Sequence, residues 1–234
     1  MTTPILILLL ALAPPGGDPQ DPAAYLALAT PCPEEAAHCL GLALFMAVDE
    51  DHAPVRDTAW VKERLAEANR LFAVVATHFI LTDVTFLPPE HTTVHSKGDR
   101  DRLGHDRWRK GPVHWFVVAR LDNVDEAGEI YGVHWRDRKA THHRWVILSK
   151  ISWPSTLPHE LGHFFGLGHN AIMGSIMNTA GNDNSRMSTR GFTETELPVI
   201  RKHLKRKLKK GELKDLKATT PAQPARPLGA RSGL

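Results

Sequence analysis

The period of the apolar positions changes several times along the chain, and each change marks an element. From Leu40 to Val48 the larger apolar side chains fall at Leu40, Leu42, Leu44, Met46 and Val48, an alternation that predicts a first strand. Beyond Asp57, an expected N-cap, the spacing turns helical, with Val61, Leu65, Ala68, Phe72 and Val75 in one stripe. Phe79 to Leu87 predicts a second strand, ended by Pro88-Pro89, and Val113 to Leu121 a third. Around and between them His91, His95, His105, Asp106 and His114 cluster in a stretch that reads as loop-rich. Tyr131 to Trp135 is expected to be a short edge strand, and Trp145 to Ser149 a fifth strand. Pro154 ends it, after which Ser155 or Thr156 is expected to cap a helix that tolerates Pro158 in its first turn. Thr193 and Glu196 fit a capping box for a last helix, with Pro198 near its start.

The helix predicted after Pro154 carries the chemistry. Residues 159–169 read H-E-L-G-H-F-F-G-L-G-H. Residues four apart lie on one helix face, so His159 and His163 can offer imidazole nitrogens to one ion, with Glu160 beside them. In continuous helix, His169 would lie about 15 Å along the axis from His159, too far to share that ion. The helix must therefore stop after His163 and the chain double back. Gly166 is placed to adopt the left-handed conformation this needs, and Gly168 is expected to loosen the same bend. Three neutral imidazoles with no fourth protein ligand leave a coordination position open, as catalytic rather than structural zinc requires.

H-E-x-x-H-x-x-G-x-x-H resembles the metzincin signature. Met177, within Gly174-Ser175-Ile176-Met177-Asn178 and eight residues after His169, resembles the family's methionine turn at matrixin-like spacing; Met173 follows His169 too closely to loop beneath a metal. The resemblance spans about residues 38–210 and is closest to small bacterial matrixin-like examples. It implies an α+β, zincin-like fold: a mixed, twisted five-stranded sheet, an active-site helix and a small C-terminal subdomain ending in a helix. It further implies a zinc-dependent endopeptidase with one catalytic Zn2+ on His159, His163 and His169, Glu160 as general base, and a protein or peptide substrate lying along the edge strand at Gly132, Val133 and His134. That strand could equally be an ordinary edge shielded by charge. Two positions depart from better-known subfamilies: Asn170 follows the third histidine, and Thr179 stands where some members place a tyrosine. Two other readings stay open: a catalytically silent zinc-fold binding protein acting through its basic last helix, and a zinc amidase acting on cell-wall peptides.

The 234 residues carry a net charge of +3, much of it from Arg201, Lys202, Lys205, Arg206, Lys207, Lys209 and Lys210 on the last helix. Such a run is a solvated face or a weak polyanion contact. No glycine-rich nucleotide loop appears, Ser155 lacks a G-x-S-x-G setting, and neither nucleic-acid binding nor a transmembrane span is expected. A monomer is expected, divided into a signal peptide and linker (1–29), a catalytic domain (30–212) and a structureless tail (213–234). Ile5 to Ala13 has signal-peptide length and ends in Ala11-Leu12-Ala13, although no basic residue precedes it and Pro14 follows; the expected location is secreted or periplasmic. Cys32 and Cys39 suit a disulfide in an oxidising compartment or idle thiols. The Pro-Cys-Pro context departs from a zinc-binding propeptide thiol, so little latency is expected. An additional structural Zn2+ or Ca2+ would have to use His91, His95, His105, Asp106 and His114, whose spacing matches no metal pattern. Gly181 to Ser188 is polar and expected to form a loop at one side of the substrate pocket.

Overall fold

The computed structural model describes residues 21–181 and 189–217. The expected signal run Ile5 to Ala13, the pocket loop beyond Gly181 and the tail from Ala218 lie outside the described residues. In chain order the elements are α1 (Pro22–Leu26), β1 (His38–Ala47), α2 (Thr58–Phe72), β2 (Thr77–Leu87), β3 (Thr93–Val94), α3 (Lys97–Gly104) and β4 (Val113–Val118). They continue with β5 (Arg120–Leu121), β6 (Gly132–Arg136), β7 (Arg144–Ser149), α4 (Thr156–Phe164) and α5 (Leu197–Lys209).

Five strands build one sheet in the order β2-β1-β4-β7-β6, parallel except for β6, which runs antiparallel to β7 at the edge. The β1 alternation becomes the division between two cores. Leu40, Leu42, Leu44 and Met46 face α2 and α4, while Ala43 and Phe45 join Leu103, Phe116 and Trp145 on the other face. Parallel strands covered on both faces lose their polar side, which is why β1 is apolar almost throughout. The α2 stripe packs as its spacing predicts, and the Asp57 side chain accepts the Trp60 N–H at 2.9 Å.

Several expectations need correction. The predicted third strand divides after Val118, because the Ala119 and Arg120 N–H groups bond to the Thr92 carbonyl and draw β5 into a separate pair with β3. The expected 91–114 loop contains α3, opened by a capping box between Ser96 and Asp99. Leu103 is its one large apolar residue, and the helix otherwise buries Arg100 and Gly104, so no apolar stripe betrays it. Its packing is nonetheless tight: a Cβ on Gly104 would lie 2.5 Å from the Trp145 ring. Ser155 stands at the N-cap of α4 as expected, but its backbone is already helical and its side chain makes no capping bond, while the Thr156 hydroxyl accepts the Trp153 N–H.

Residues on either side of the expected 30–212 span also pack against it. Tyr25 in α1 is buried in the main core and donates to the Arg56 carbonyl, while Leu213 is buried and Asp215 binds the His38 ring and the Cys39 N–H. Long-range partners hold these segments, and local composition cannot show such partners. Cys32 and Cys39 form a disulfide. Among the described residues, no helix is long and apolar enough to cross a membrane.

Candidate metal centre

The site forms where α4 ends. Gly166 takes φ +91°, its N–H donates to the His163 carbonyl and the Leu167 N–H donates to the Gly162 carbonyl, a paired closure of the Schellman type. Leu167 covers Gly162, and the chain reverses to bring His169 back over the helix. Gly168, expected to share the bend, is not among the residues with positive φ; Gly166 carries the turn.

The Nε2 atoms of His159, His163 and His169 consequently lie 3.0–3.2 Å from one another. In a tetrahedral site with Zn–N bonds of 2.0–2.1 Å, ligand nitrogens are about 3.4 Å apart, so the three rings occupy three vertices to within a few tenths of an ångström. Their hydrogen bonds decide which nitrogen faces the ion. The His159 Nδ1–H donates to the Ile176 carbonyl and the His163 Nδ1–H to the Leu167 carbonyl, both at 2.9 Å. A carbonyl can only accept, so Nδ1 carries the proton and the Nε2 lone pair points to the centre. Burial pushes the His159 ring down to about 4 and lowers His163 as well, keeping both neutral. Converging lone pairs repel one another unless a cation sits among them, and this donor set fits zinc. Among the described residues, no other group of histidines, cysteines and carboxylates gathers as a metal site, so the five residues between His91 and His114 are not brought together.

Glu160 points from the same helix toward β6. It is 5% exposed, and burial pushes its carboxyl up to about 8 against the opposing pull of the His134 backbone N–H and the Arg100 charge. Contact with β6 is close: a Cβ on Gly132 would lie 2.7 Å from Thr156 Cγ2 and 3.1 Å from the Glu160 carboxylate. Because Tyr131 accepts the Ser149 N–H, the antiparallel alternation turns the peptide groups of Gly132, His134 and Arg136 away from β7. Those of Val133 face β7 instead, and its side chain packs in the second core. Gly132, Val133, His134, Glu160 and the three histidines line one cleft of about 1020 Å³, with Trp153 and Tyr131 at its rim and Thr179 on its wall.

No family model and no curated protein matches this sequence. Solved structures similar to it include an archaemetzincin from Methanopyrus kandleri, at 16% identity over 74% of this chain and 99% of that one, with a TM-score of 0.48. Metalloproteinase-II from Bacteroides fragilis is 13% identical over 73% of this chain and 55% of its own, with a TM-score of 0.49. An archaemetzincin from Archaeoglobus fulgidus, in complex with malonate, is 14% identical over 68% and 99%, with a TM-score of 0.40. None of the three is a matrixin by name. With every score below 0.5, these likenesses leave the chemistry of the site to be argued from its own geometry.

Met177 is fully buried, whereas Met173 is 69% exposed. The Met177 sulfur lies 2.8 Å from where a Cβ on Gly162 would stand, so this glycine lets the methionine reach the underside of α4. Sequence reasoning passed over Gly162, and it also passed over a clamp centred on Glu196. The Asn170 side-chain amide and the Ser175 hydroxyl each donate to Glu196 Oε1 at 2.7 Å, and the Thr193 N–H and hydroxyl donate to Oε2 at 2.7 and 2.9 Å. Ser175 in turn accepts the Met177 N–H, and the Asn170 N–H donates to the Met177 carbonyl. Glu196 thus ties the entrance of α5 to the residue after the third histidine and to the turn that carries Met177. The capping-box spacing had marked this glutamate, but only as a helix start; α5 opens after it, at Leu197.

Proposed function

We propose that the protein is a zinc-dependent endopeptidase, with His159, His163 and His169 as ligands and Glu160 as general base. One observation carries the reading: three imidazole nitrogens converge within 3.2 Å beside a buried carboxylate, in a cleft walled by the outward-facing edge of β6. Bound there, zinc would lower the pKa of a water to near neutrality and polarise a peptide carbonyl. Glu160 takes the proton of the attacking water at its carboxylate and passes it to the departing amine. An extended peptide pairs with the outward peptide groups of Gly132 and the outward carbonyl of His134, whose N–H is held by Glu160, and these hold the scissile bond over the histidines. Met177 supports the site from below. Within metzincin-like enzymes, the spacing from His169 to Met177 supports the matrixin-like type, and the Cys32–Cys39 disulfide supports an exported protein.

The test is hydrolysis of an unfolded protein by the purified chain, with and without a chelator, beside Glu160→Ala. Cleavage that needs the metal and falls by at least about a hundredfold in the variant is the expected result. A variant that cleaves as fast as the parent would remove Glu160 from the mechanism.

A further inference from the structure

The two ends of the cleft differ in charge. At the Tyr131 end, Asp125 and Glu129 line it together with the buried Arg100; Asp125 is engaged by Lys97 and sensed by Arg100, and Glu129 accepts a hydrogen bond from Ser149, so the acids there are matched by cations. At the opposite end, past His163 and Gly166, the charges are positive. Strand alternation continues the cleft-facing row Gly132, His134 to Arg136, and the register sets Arg144 directly opposite Arg136 on β7. Arg144 is half-buried and lines the cleft. Behind Gly166, whose added Cβ would lie 2.4 Å from the His203 ring, that ring accepts a hydrogen bond from the Arg206 guanidinium at 3.1 Å. Arg206 therefore stands one side chain away from the cleft wall.

Like charges set opposite one another on a sheet cost stability, and here three guanidinium groups share one corner, offset among the described residues by Glu212 alone. Arg144 senses both Arg136 and Arg206, which add to burial in lowering its pKa. The nearby acid, Glu212, is engaged by the buried Lys207. Neither the Arg136 nor the Arg144 guanidinium has a hydrogen bond or ion pair to another described group. The corner is positive on balance, and through Arg144 it opens into the cleft.

We infer that Arg136, Arg144 and Arg206 form a subsite for a carboxylate side chain of the substrate, so that the enzyme prefers peptides with Asp or Glu on one side of the scissile bond. A half-buried guanidinium flanked by two others holds a carboxylate through charge-assisted, bidentate bonds. The inference rests on the endopeptidase reading for its substrate but uses none of the metal-site residues.

The test sets Asp or Lys at successive positions on both sides of a fixed cleavage sequence. Two readouts run in parallel: kcat/KM with the zinc-loaded enzyme, and fluorescence anisotropy of the same peptides on Glu160→Ala. Asp in place of Lys should raise kcat/KM and the affinity read from anisotropy by about tenfold at positions on one side only, and by less at high salt. Arg144→Glu and, separately, the exposed Arg206→Glu should abolish or reverse the preference, while Lys209→Glu on the same helix keeps it. Cleavage without charge preference, or a preference that survives both arginine reversals, overturns the subsite and leaves the endopeptidase standing. Charge-selective binding lost in both arginine variants, with no peptide cleaved, sustains the subsite and removes the endopeptidase. Absence of both cleavage and selective binding removes both.

Discussion

Gly166→Ala perturbs the one residue that turns the chain back toward the metal centre, and two separable costs can be assigned to it. At φ +91° an added Cβ pays the left-handed penalty of about 1–2 kcal/mol. The same Cβ would lie 2.4–2.6 Å from three atoms of the His203 imidazole, an overlap that forces the ring aside at about 1–2 kcal/mol. Together they should lower stability by about 2–4 kcal/mol, or about 5–15 °C in melting temperature for a domain of this size. Thermal melting of the zinc-free protein reads the total, and competition against a zinc indicator reads the consequence at the site, where affinity should fall because His169 returns through this turn. Gly166→Ala with His203→Ala separates the costs: relative to His203→Ala alone, the added alanine should cost only the φ part. Unchanged melting and zinc affinity in Gly166→Ala would refute the view that this turn positions the third histidine. Full restoration in the double variant would refute the backbone part alone.

Glu196→Ala removes four hydrogen bonds to a buried carboxylate and leaves Asn170, Ser175 and Thr193 donors without their acceptor, so a loss of about 3 kcal/mol in urea unfolding is expected, together with weaker zinc binding. A variant that unfolds normally and binds zinc normally would show that the clamp does not support the methionine turn. The third prediction concerns pH. Burial would raise the Asp137 carboxyl, but hydrogen bonds from His105 and from the Ala140 and Lys139 N–H groups outweigh it and hold the group below its ordinary value; His105, bonded to Asp137, is raised. The carboxylate therefore stabilises the fold above its unfolded value of about 4, and that contribution drains as pH falls through the depressed native one. The His105 part is full below about pH 6.5 and is lost as pH rises through its raised native value. Urea midpoints measured across pH for the parent and Asp137→Asn should diverge most between those limits and converge in acid; parallel curves would contradict the linkage.

What could be read along the chain had local causes. Strand alternation, the α2 stripe, the Asp57 cap and the turn at Gly166 each depend on residues within a few positions of one another. The spacing of His159, His163 and His169 belongs with them, because helix geometry and one left-handed glycine suffice to bring the three rings together. What escaped had partners far away. The helix α3 buries Arg100 and Gly104 against residues distant in sequence, so no apolar period announces it. Gly162 is small because a sulfur fifteen residues later needs the space. Glu196 looked like a helix cap because its other partners, Asn170 and Ser175, lie more than twenty residues upstream.

By itself, then, the sequence determined the spacing that gathers three imidazoles, the glutamate next to the first of them and the order of the strands and helices, since backbone periodicity and short-range geometry already contain them. Only the tertiary structure decided that Glu160 faces the outward edge of β6, that Met177 rather than Met173 lies beneath α4, and that Arg144 lines the cleft opposite Arg136 and near Arg206. Those relations depend on which surfaces pack together, and packing joins positions that no local pattern connects.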